Sequence, residues 1–122
     1  MRIGLETARA YWSHPSQHAY GMTEANLTRD FEYRATSYVC LAFHPVMIPG
    51  VYGVHIGVKP QAWGHTVDPV RHLLKGFWAD YQPWRVVAWI GNQHRQAASL
   101  ARRTGFIEDG QFPGFKMYGW RL

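Results

Sequence analysis

The chain is poor in the features that define several protein classes. It has one cysteine, Cys40, among 122 residues, which excludes a disulfide framework or a zinc site of several thiolates within the chain and favours a reducing compartment. No apolar stretch approaches the roughly 18 residues of a membrane span, and the N-terminus lacks the apolar core of a signal peptide. Repeats and Gly/Ser linkers are also missing. We therefore expect one domain over residues 1–122 of a soluble, cytoplasmic protein.

The basic residues are not clustered, although the formal net charge is +5. No run of Lys and Arg exceeds two residues, and most of the basic excess follows residue 58. This balance suits a protein that binds a phosphorylated cofactor, whereas a nucleic-acid-binding tail would have longer basic runs. Apolar residues make up 47% of the chain, enough for a packed core to which we assign the tryptophans. A basic nucleic-acid-binding module stays open on charge and aromatic content alone.

Hydrophobic periodicity and turn residues predict nine elements. In chain order they are helices over 5–13 and 23–35, strands over 38–43 and 51–58, a helix over 69–81, a strand over 85–90, a helix over 94–104, and strands over 106–107 and 116–121. The second helix rests on Thr23 as its N-cap and on the spacing of Leu27, Phe31 and Ala35. The helix over 69–81 has the clearest apolar stripe, with Asp68 as its N-cap.

The strand over 51–58, VYGVHIGV, has two different faces. Side chains alternate along a strand, so one face holds Tyr52, Val54, Ile56 and Val58, and the other holds Gly53, His55 and Gly57. The two glycines leave the second face poor in side chains, so that a ligand or another backbone can approach closely. Together with the next helix and strand, this strand forms a βαβ crossover, which implies a parallel strand pair.

Four segments in the second half of the chain match one family in their residues, their order and their spacing. They are VKPQAWGHT over 58–66, VVAWI over 86–90 ahead of a small-residue helix, TGF over 104–106 and EDG over 108–110. Together they resemble the acyl-CoA-binding half of the GNAT N-acetyltransferase superfamily, closest to the subgroup that acetylates ribosomal-protein N-termini. The resemblance implies an α+β fold with a mixed, mostly antiparallel sheet and helices on both faces. The N-terminal part is reduced and lacks the family's first strand.

The resemblance also implies where acetyl-CoA binds. The family's phosphate loop falls on 63–68, at a helix start, where unsatisfied N–H groups and the helix dipole suit a pyrophosphate. The implied cofactor contacts are Ile56, Val58, Trp63, Gly64, His65, Thr66, Asn92 and His94. Thr66 and Asp68 stand in for glycines of the family loop, and Asp68 as an N-cap would take the N–H groups that the pyrophosphate needs. The family's tyrosine general acid falls on Ala101.

His55 and Tyr52 are the candidate catalytic residues. His55 lies in the strand where the family places a general base, and a histidine titrates near neutrality. Counting against the family puts the base nearer Tyr52 or Val54, and a hydrogen-bonded structural histidine is the alternative for His55. His14 and His18 have the spacing of metal ligands, but without a third ligand we expect no metal site.

The leading hypothesis is an acetyl-CoA-dependent N-acetyltransferase. Its acceptor is a protein N-terminus, a lysine, a small amine or an antibiotic. The alternative is a catalytically inactive protein that keeps the same scaffold for binding or structure, such as a phage virion or assembly component. The expected partners are acetyl-CoA and an amine acceptor, without nucleic acid or membrane, and a homo-oligomer or assembly partner stays open.

Overall fold

The computed structural model describes residues 1–18 and 22–122, without the side chain of His18. The expectation about the His14–His18 pair therefore lies partly outside the described residues. The strands are β1 Arg2–Ile3, β2 Glu32–Ala35, β3 Val39–Pro45, β4 Val51–Val58, β5 Arg85–Gly91, β6 Ile107–Phe112 and β7 Phe115–Trp120. The α-helices are α1 Leu5–Ala8, α2 Pro15–His18, α3 Val67–Tyr81 and α4 Arg95–Arg103, and short 3-10 turns occupy Arg9–Tyr11, Glu24–Asn26 and Pro60–Ala62.

The described strands form one seven-stranded sheet in the order β1-β2-β3-β4-β5-β7-β6. All neighbouring strands are antiparallel except β4 and β5, which run parallel and are joined by α3. This topology confirms the mixed, mostly antiparallel sheet and the βαβ crossover.

Each face of the sheet packs against its own group of helices. On one face the buried side chains of α3 pack against β3 and β4, and the Phe77 ring stacks on Phe43 with 3.8 Å between the centroids. On the other face Trp12, at the end of the first 3-10 turn, and Tyr11 pack on β2 and β3. Because burying each such side chain is worth roughly 1.5–3 kcal/mol, these two clusters fix the helices against the sheet. Helices on both faces are thus confirmed.

Three predictions for the N-terminal part are wrong. Glu32–Ala35, predicted as the end of a helix, is strand β2, because Tyr33 and Ala35 alternate onto one sheet face and the whole segment pairs with β3. Thr23 caps only a single 3-10 turn, and its own backbone N–H donates to Oδ1 of Asn26. The first strand also has a counterpart, since β1 pairs with Arg34 and Tyr33 of β2. The helix predicted over 5–13 ends as an α-helix at residue 8.

Several element boundaries also differ from the prediction in the rest of the chain. Helix α3 begins at Val67 with Thr66 as its N-cap, so that Asp68 is the second helical residue and not the cap. Pro69 is tolerated at the third position because N–H groups of the first turn have no intrahelical partner. Strand β3 extends to Pro45, and β6 continues to residue 112 along β7. Within residues 1–18 and 22–122, no helix has the length and apolar character needed to cross a membrane.

Candidate active site

The central feature of the site is a gap in the sheet between β4 and β5. The two strands pair only through Val51–Gly53 and Arg85–Val87. Beyond that point, in the described part of the chain, each strand keeps only its outer partner, β3 or β7. A cavity of about 720 Å³ lies at the gap, within the 300–1,000 Å³ typical of ligand sites. Its walls come from both strands and from α3 and α4.

The backbone of β4 presents polar groups to this gap. The N–H of Val58 does not bond to β3, since it donates to Oε1 of the buried Gln17 at 3.3 Å. Residues of an antiparallel pair alternate between bonded and non-bonded positions. Ile56 therefore points its N–H and C=O groups in the same direction as Val58, toward the side where β5 no longer pairs.

The loop before α3 ends in a helix start with open N–H groups. Gly64 has a φ of +82°, and the N–H of His65 donates back to the carbonyl of Ala62, which turns the chain into the helix. Thr66 makes no side-chain cap bond, and the first turn of a helix leaves its N–H groups without intrahelical partners. Asp68 is exposed in this first turn. The loop can therefore bind an anion through backbone N–H groups.

A stack of aromatic rings surrounds His55 on the glycine-rich face of β4. The Nε2 atoms of His55 and His44 lie 3.1 Å apart, and the Phe31 ring stacks on both imidazoles. A Cβ on Gly53 would lie 2.6 Å from His44 Nε2 and 3.2 Å from the ring of Trp89, so only glycine leaves room for these two rings. His55 and Trp89 both line the cavity.

The hydrogen bonds of the two histidines define their protonation. His44 Nδ1 lies 3.3 Å from the carbonyl of Pro45, which only accepts, so that Nδ1 carries a proton. In neutral His44 the Nε2 atom is then an acceptor, and His55 donates its own Nε2–H. The free lone pair of His55 is therefore on Nδ1. Burial, and secondarily the neighbouring His44, lowers the pKa of His55 from 6.5 to about 4, which keeps the ring neutral at pH 7.

The structure brings most of the predicted site residues together at the cavity. Those that line it are His55, Ile56, Val58, Trp63, Gly64, Thr66 and His94. Three others lie outside the lining. The Tyr52 ring packs under α3 against Phe77, His65 is exposed beside the loop, and Asn92 is exposed with its N–H bonded to Gly114. The described residues contain no group of three His, Cys, Asp or Glu side chains that could hold a metal.

The position of the family's general acid has no hydroxyl. Ala101 is buried and lines the cavity. The hydroxyl of Thr104, one turn further along, is within 3.0 Å of the carbonyls of Leu100 and Ala101 and is held by the helix. Within α4 the hydroxyl that lines the cavity belongs to Ser99, two residues before Ala101.

Four residues of the site were missed by sequence reasoning: Gln17, Phe31, His44 and Trp89. The strand predicted over 38–43 stops before His44, although extending it by two residues places His44 on the same face as His55. Trp89 was assigned to the core, but it is 44% exposed on the opposite face from α3. For Gln17 and Phe31 the sequence offers no local signal, because the tertiary fold alone brings them to β4.

Comparison with solved structures shows the fold of the GNAT acetyltransferases. AAC(6')-Ib in complex with paromomycin and acetyl-CoA has a TM-score of 0.73 at 11% identity, over 98% of this chain and 89% of that one. The N-acetyltransferase PseH of Campylobacter jejuni in complex with acetyl coenzyme A has a TM-score of 0.64 at 11% identity, over 77% and 70%. The ribosomal-protein-S5-alanine acetyltransferase of Vibrio fischeri has a TM-score of 0.56 at 11% identity, over 68% and 53%.

These likenesses define the fold and not the subgroup. No protein-family model and no curated protein matches the sequence. The likeness to the ribosomal-protein enzyme is no greater than the likeness to the other two, so it does not single out that subgroup. The chain folds as a GNAT acetyltransferase does, with a mixed sheet that opens between β4 and β5.

Proposed function

We propose that this protein is an N-acetyltransferase that transfers the acetyl group of acetyl-CoA to an amine. The observation that carries this proposal is the gap between β4 and β5, which holds a ligand-sized cavity with a partly buried histidine on its wall. PseH and AAC(6')-Ib, which share the fold, are solved in complex with acetyl-CoA. Their likeness supports acetyl-CoA as the cosubstrate of this chain.

The cavity offers a partner for each part of acetyl-CoA. The pyrophosphate binds to the N–H groups at the start of α3, beside Gly64 and Thr66, where the helix dipole favours an anion. The pantetheine arm lies in the gap against β4. Its acetyl carbonyl accepts a hydrogen bond from the N–H of Ile56, which stabilises the negative charge that develops on that oxygen during attack.

Acetyl transfer proceeds by direct attack and needs no covalent enzyme intermediate. The amine nitrogen forms a bond to the thioester carbon, the C–S bond breaks, and CoA leaves as a thiolate. A thiol has a pKa of about 8.5, so the thiolate is a good leaving group without a general acid. The absence of a hydroxyl at Ala101 is therefore compatible with turnover.

The two histidines provide a route for the proton of the amine. His55 accepts it at Nδ1, and the Nε2–H of His55 can then pass to Nε2 of His44 over 3.1 Å. His44 is only partly buried and exchanges its proton with solvent. His55 thus acts as the base, and His44 acts through it as a positioning residue.

Calorimetry with acetyl-CoA and CoA at moderate salt tests the proposal, and we expect micromolar binding. Turnover is followed by the release of CoA with a thiol reagent. Cys40 does not interfere, because burial raises the pKa of its thiol to about 12. His55→Gln should lower kcat by about 10²-fold or more and leave the Kd of acetyl-CoA unchanged.

His72→Gln is the matched control, since His72 is exposed on α3 away from the cavity lining. Equal losses of kcat in the two variants would contradict the role of His55. No detectable binding of either ligand at millimolar concentration would contradict the enzyme and favour a scaffold protein with an altered loop, for which Thr66 and Asp68 are the supporting observation.

A further inference from the structure

The acceptor side of the cavity has an aromatic, apolar character. The amine must approach from the face of β4 that carries His55, since the other face is covered by α3 and α4. On that side the cavity is lined by His55, Trp89, Trp12 and Met22, together with the uncharged polar residues Ser16 and Gln17. Phe31 extends this wall through its stacking on the imidazole of His55 at 6.1 Å.

This cavity lacks any carboxylate that would balance a bound cation. Arg103 is the sole Lys, Arg, Asp or Glu residue in the described lining. The residues outside the description, at 19–21, are Ala, Tyr and Gly and carry no acid. Most acidic residues are paired elsewhere with cations of the chain itself: Glu6, Glu32, Asp80, Glu108 and Asp109. Asp30, next to Phe31, is exposed and does not line the cavity.

We propose that the acceptor is a monoamine with an aromatic or apolar body, and not a polyamine or an aminoglycoside. This inference rests on the proposed function. The single ammonium group binds over the aromatic faces beside His55, and the body of the acceptor packs on Trp89. A second ammonium group would lose water without gaining a counter-charge, which disfavours polycations. Paromomycin, the ligand of AAC(6')-Ib, belongs to the class that this cavity excludes.

The test compares 2-phenylethylamine with spermidine. Each amine is titrated by calorimetry into the protein saturated with CoA, and each is assayed for acetylation with acetyl-CoA. We expect kcat/KM and affinity to favour 2-phenylethylamine by about 100-fold, which corresponds to the cost of an uncompensated buried cation. Spermidine that binds as tightly as 2-phenylethylamine, or the absence of binding by either amine, overturns the inference.

Two tryptophan variants locate the acceptor. Trp89→Ala should weaken 2-phenylethylamine about tenfold, because it removes the aromatic surface that holds the amine. Trp84→Ala is the matched control. Trp84 is 54% exposed against 44% for Trp89 and precedes the same strand, but it lies outside the cavity lining. Equal effects of the two variants overturn the assignment.

A third variant reverses the charge argument. Trp89→Glu adds a carboxylate to the cavity lining. It should reduce the factor by which affinity and kcat/KM favour 2-phenylethylamine over spermidine. An unchanged preference overturns the charge argument. The binding of CoA is measured separately, so that the two proposals can fail separately. If CoA binds and spermidine is preferred, the acceptor class is wrong and the acetyltransferase stands, whereas a protein that does not bind CoA refutes the acetyltransferase itself.

Discussion

Replacement of Asp68 tests directly whether a pyrophosphate binds at the start of α3. Asp68 is exposed at the second helical position, and its carboxylate lies near the N–H groups proposed to bind the phosphates. Asp68→Asn removes one negative charge there and keeps the size of the side chain. We expect CoA to bind more tightly to this variant. The helix itself should lose roughly 0.3–1 kcal/mol, because an acid in the first turn stabilises the helix dipole.

The expected gain in affinity follows from the position of the charge. We take the distance between the Asp68 carboxylate and an anion at the helix end as roughly 7 Å. It combines the axial rise over two residues, about 3 Å, with the radius of a helix including its side chains, about 5–6 Å. In a water-like dielectric this separation costs about 0.6 kcal/mol per pair of unit charges, or about 1.2 kcal/mol for a pyrophosphate with about two charges. Screening at 0.1 M ionic strength halves this value, roughly. The Kd of CoA should therefore fall about threefold at 0.1 M and about fivefold at 0.01 M.

Calorimetric titration of CoA at the two ionic strengths measures this change. Asp30→Asn is the control, because it removes the same charge from an exposed position outside the cavity lining. It should leave the Kd nearly unchanged. An equal gain in both variants would show that only the net charge of the protein matters, and no gain for Asp68→Asn would show that the pyrophosphate binds elsewhere. Either result would refute the assignment of the loop.

Other perturbations test the packing and the titration of the fold. Arg34→Met should cost about 1–2 kcal/mol in urea denaturation, because Asp80 loses the guanidinium 2.6 Å away and Glu32 keeps Arg2 as its remaining arginine partner, and unchanged stability would contradict this. Gly57→Ala should cost about 1–3 kcal/mol, since its Cβ would lie 2.6 Å from the Trp12 ring, whereas Gly4→Ala meets no atom within 4 Å and should not. Acidification from pH 7 to 4 should cost up to about 3 kcal/mol, since the unfolded chain binds a proton near pH 6.5 and folded His55 only near pH 4. His55→Gln should remove that part of the pH dependence.

The second half of the fold could be predicted because its signals are local. The apolar stripe of α3 and the alternation of β4 each lie within one element, and the parallel pair follows from their order. The N-terminal part could not be predicted in this way. Leu27, Phe31 and Ala35 have helical spacing, but Ala35 belongs to β2, a strand that exists because β3 pairs with it. Because this pairing depends on residues distant in the sequence, the four residues of β2 are too few for hydrophobic periodicity to predict a strand.

The residues of the candidate site likewise fall into those predicted from local sequence and those that depend on distant segments. Contiguous sequence motifs predict Ile56, Gly64 and Thr66 as site residues, and the structure places all three at the cavity. The position of His44 beside His55 depends instead on the register between β3 and β4. Ala42 pairs with His55, which puts His44 on the same face two residues along. Gln17 reaches the N–H of Val58 across 41 residues of chain, which local patterns do not report.

The position of the helix start decides how the altered loop should be interpreted. If Asp68 were the N-cap, its carboxylate would occupy the N–H groups of the first turn, and the change from glycine would exclude a pyrophosphate. The helix begins at Val67 instead, with Thr66 as a cap that makes no side-chain bond. The N–H groups stay open, and Asp68 acts only through its field. A carboxylate at this position then weakens the proposed CoA binding by a few-fold, as the charge calculation gives, and does not by itself contradict the proposed acetyl transfer.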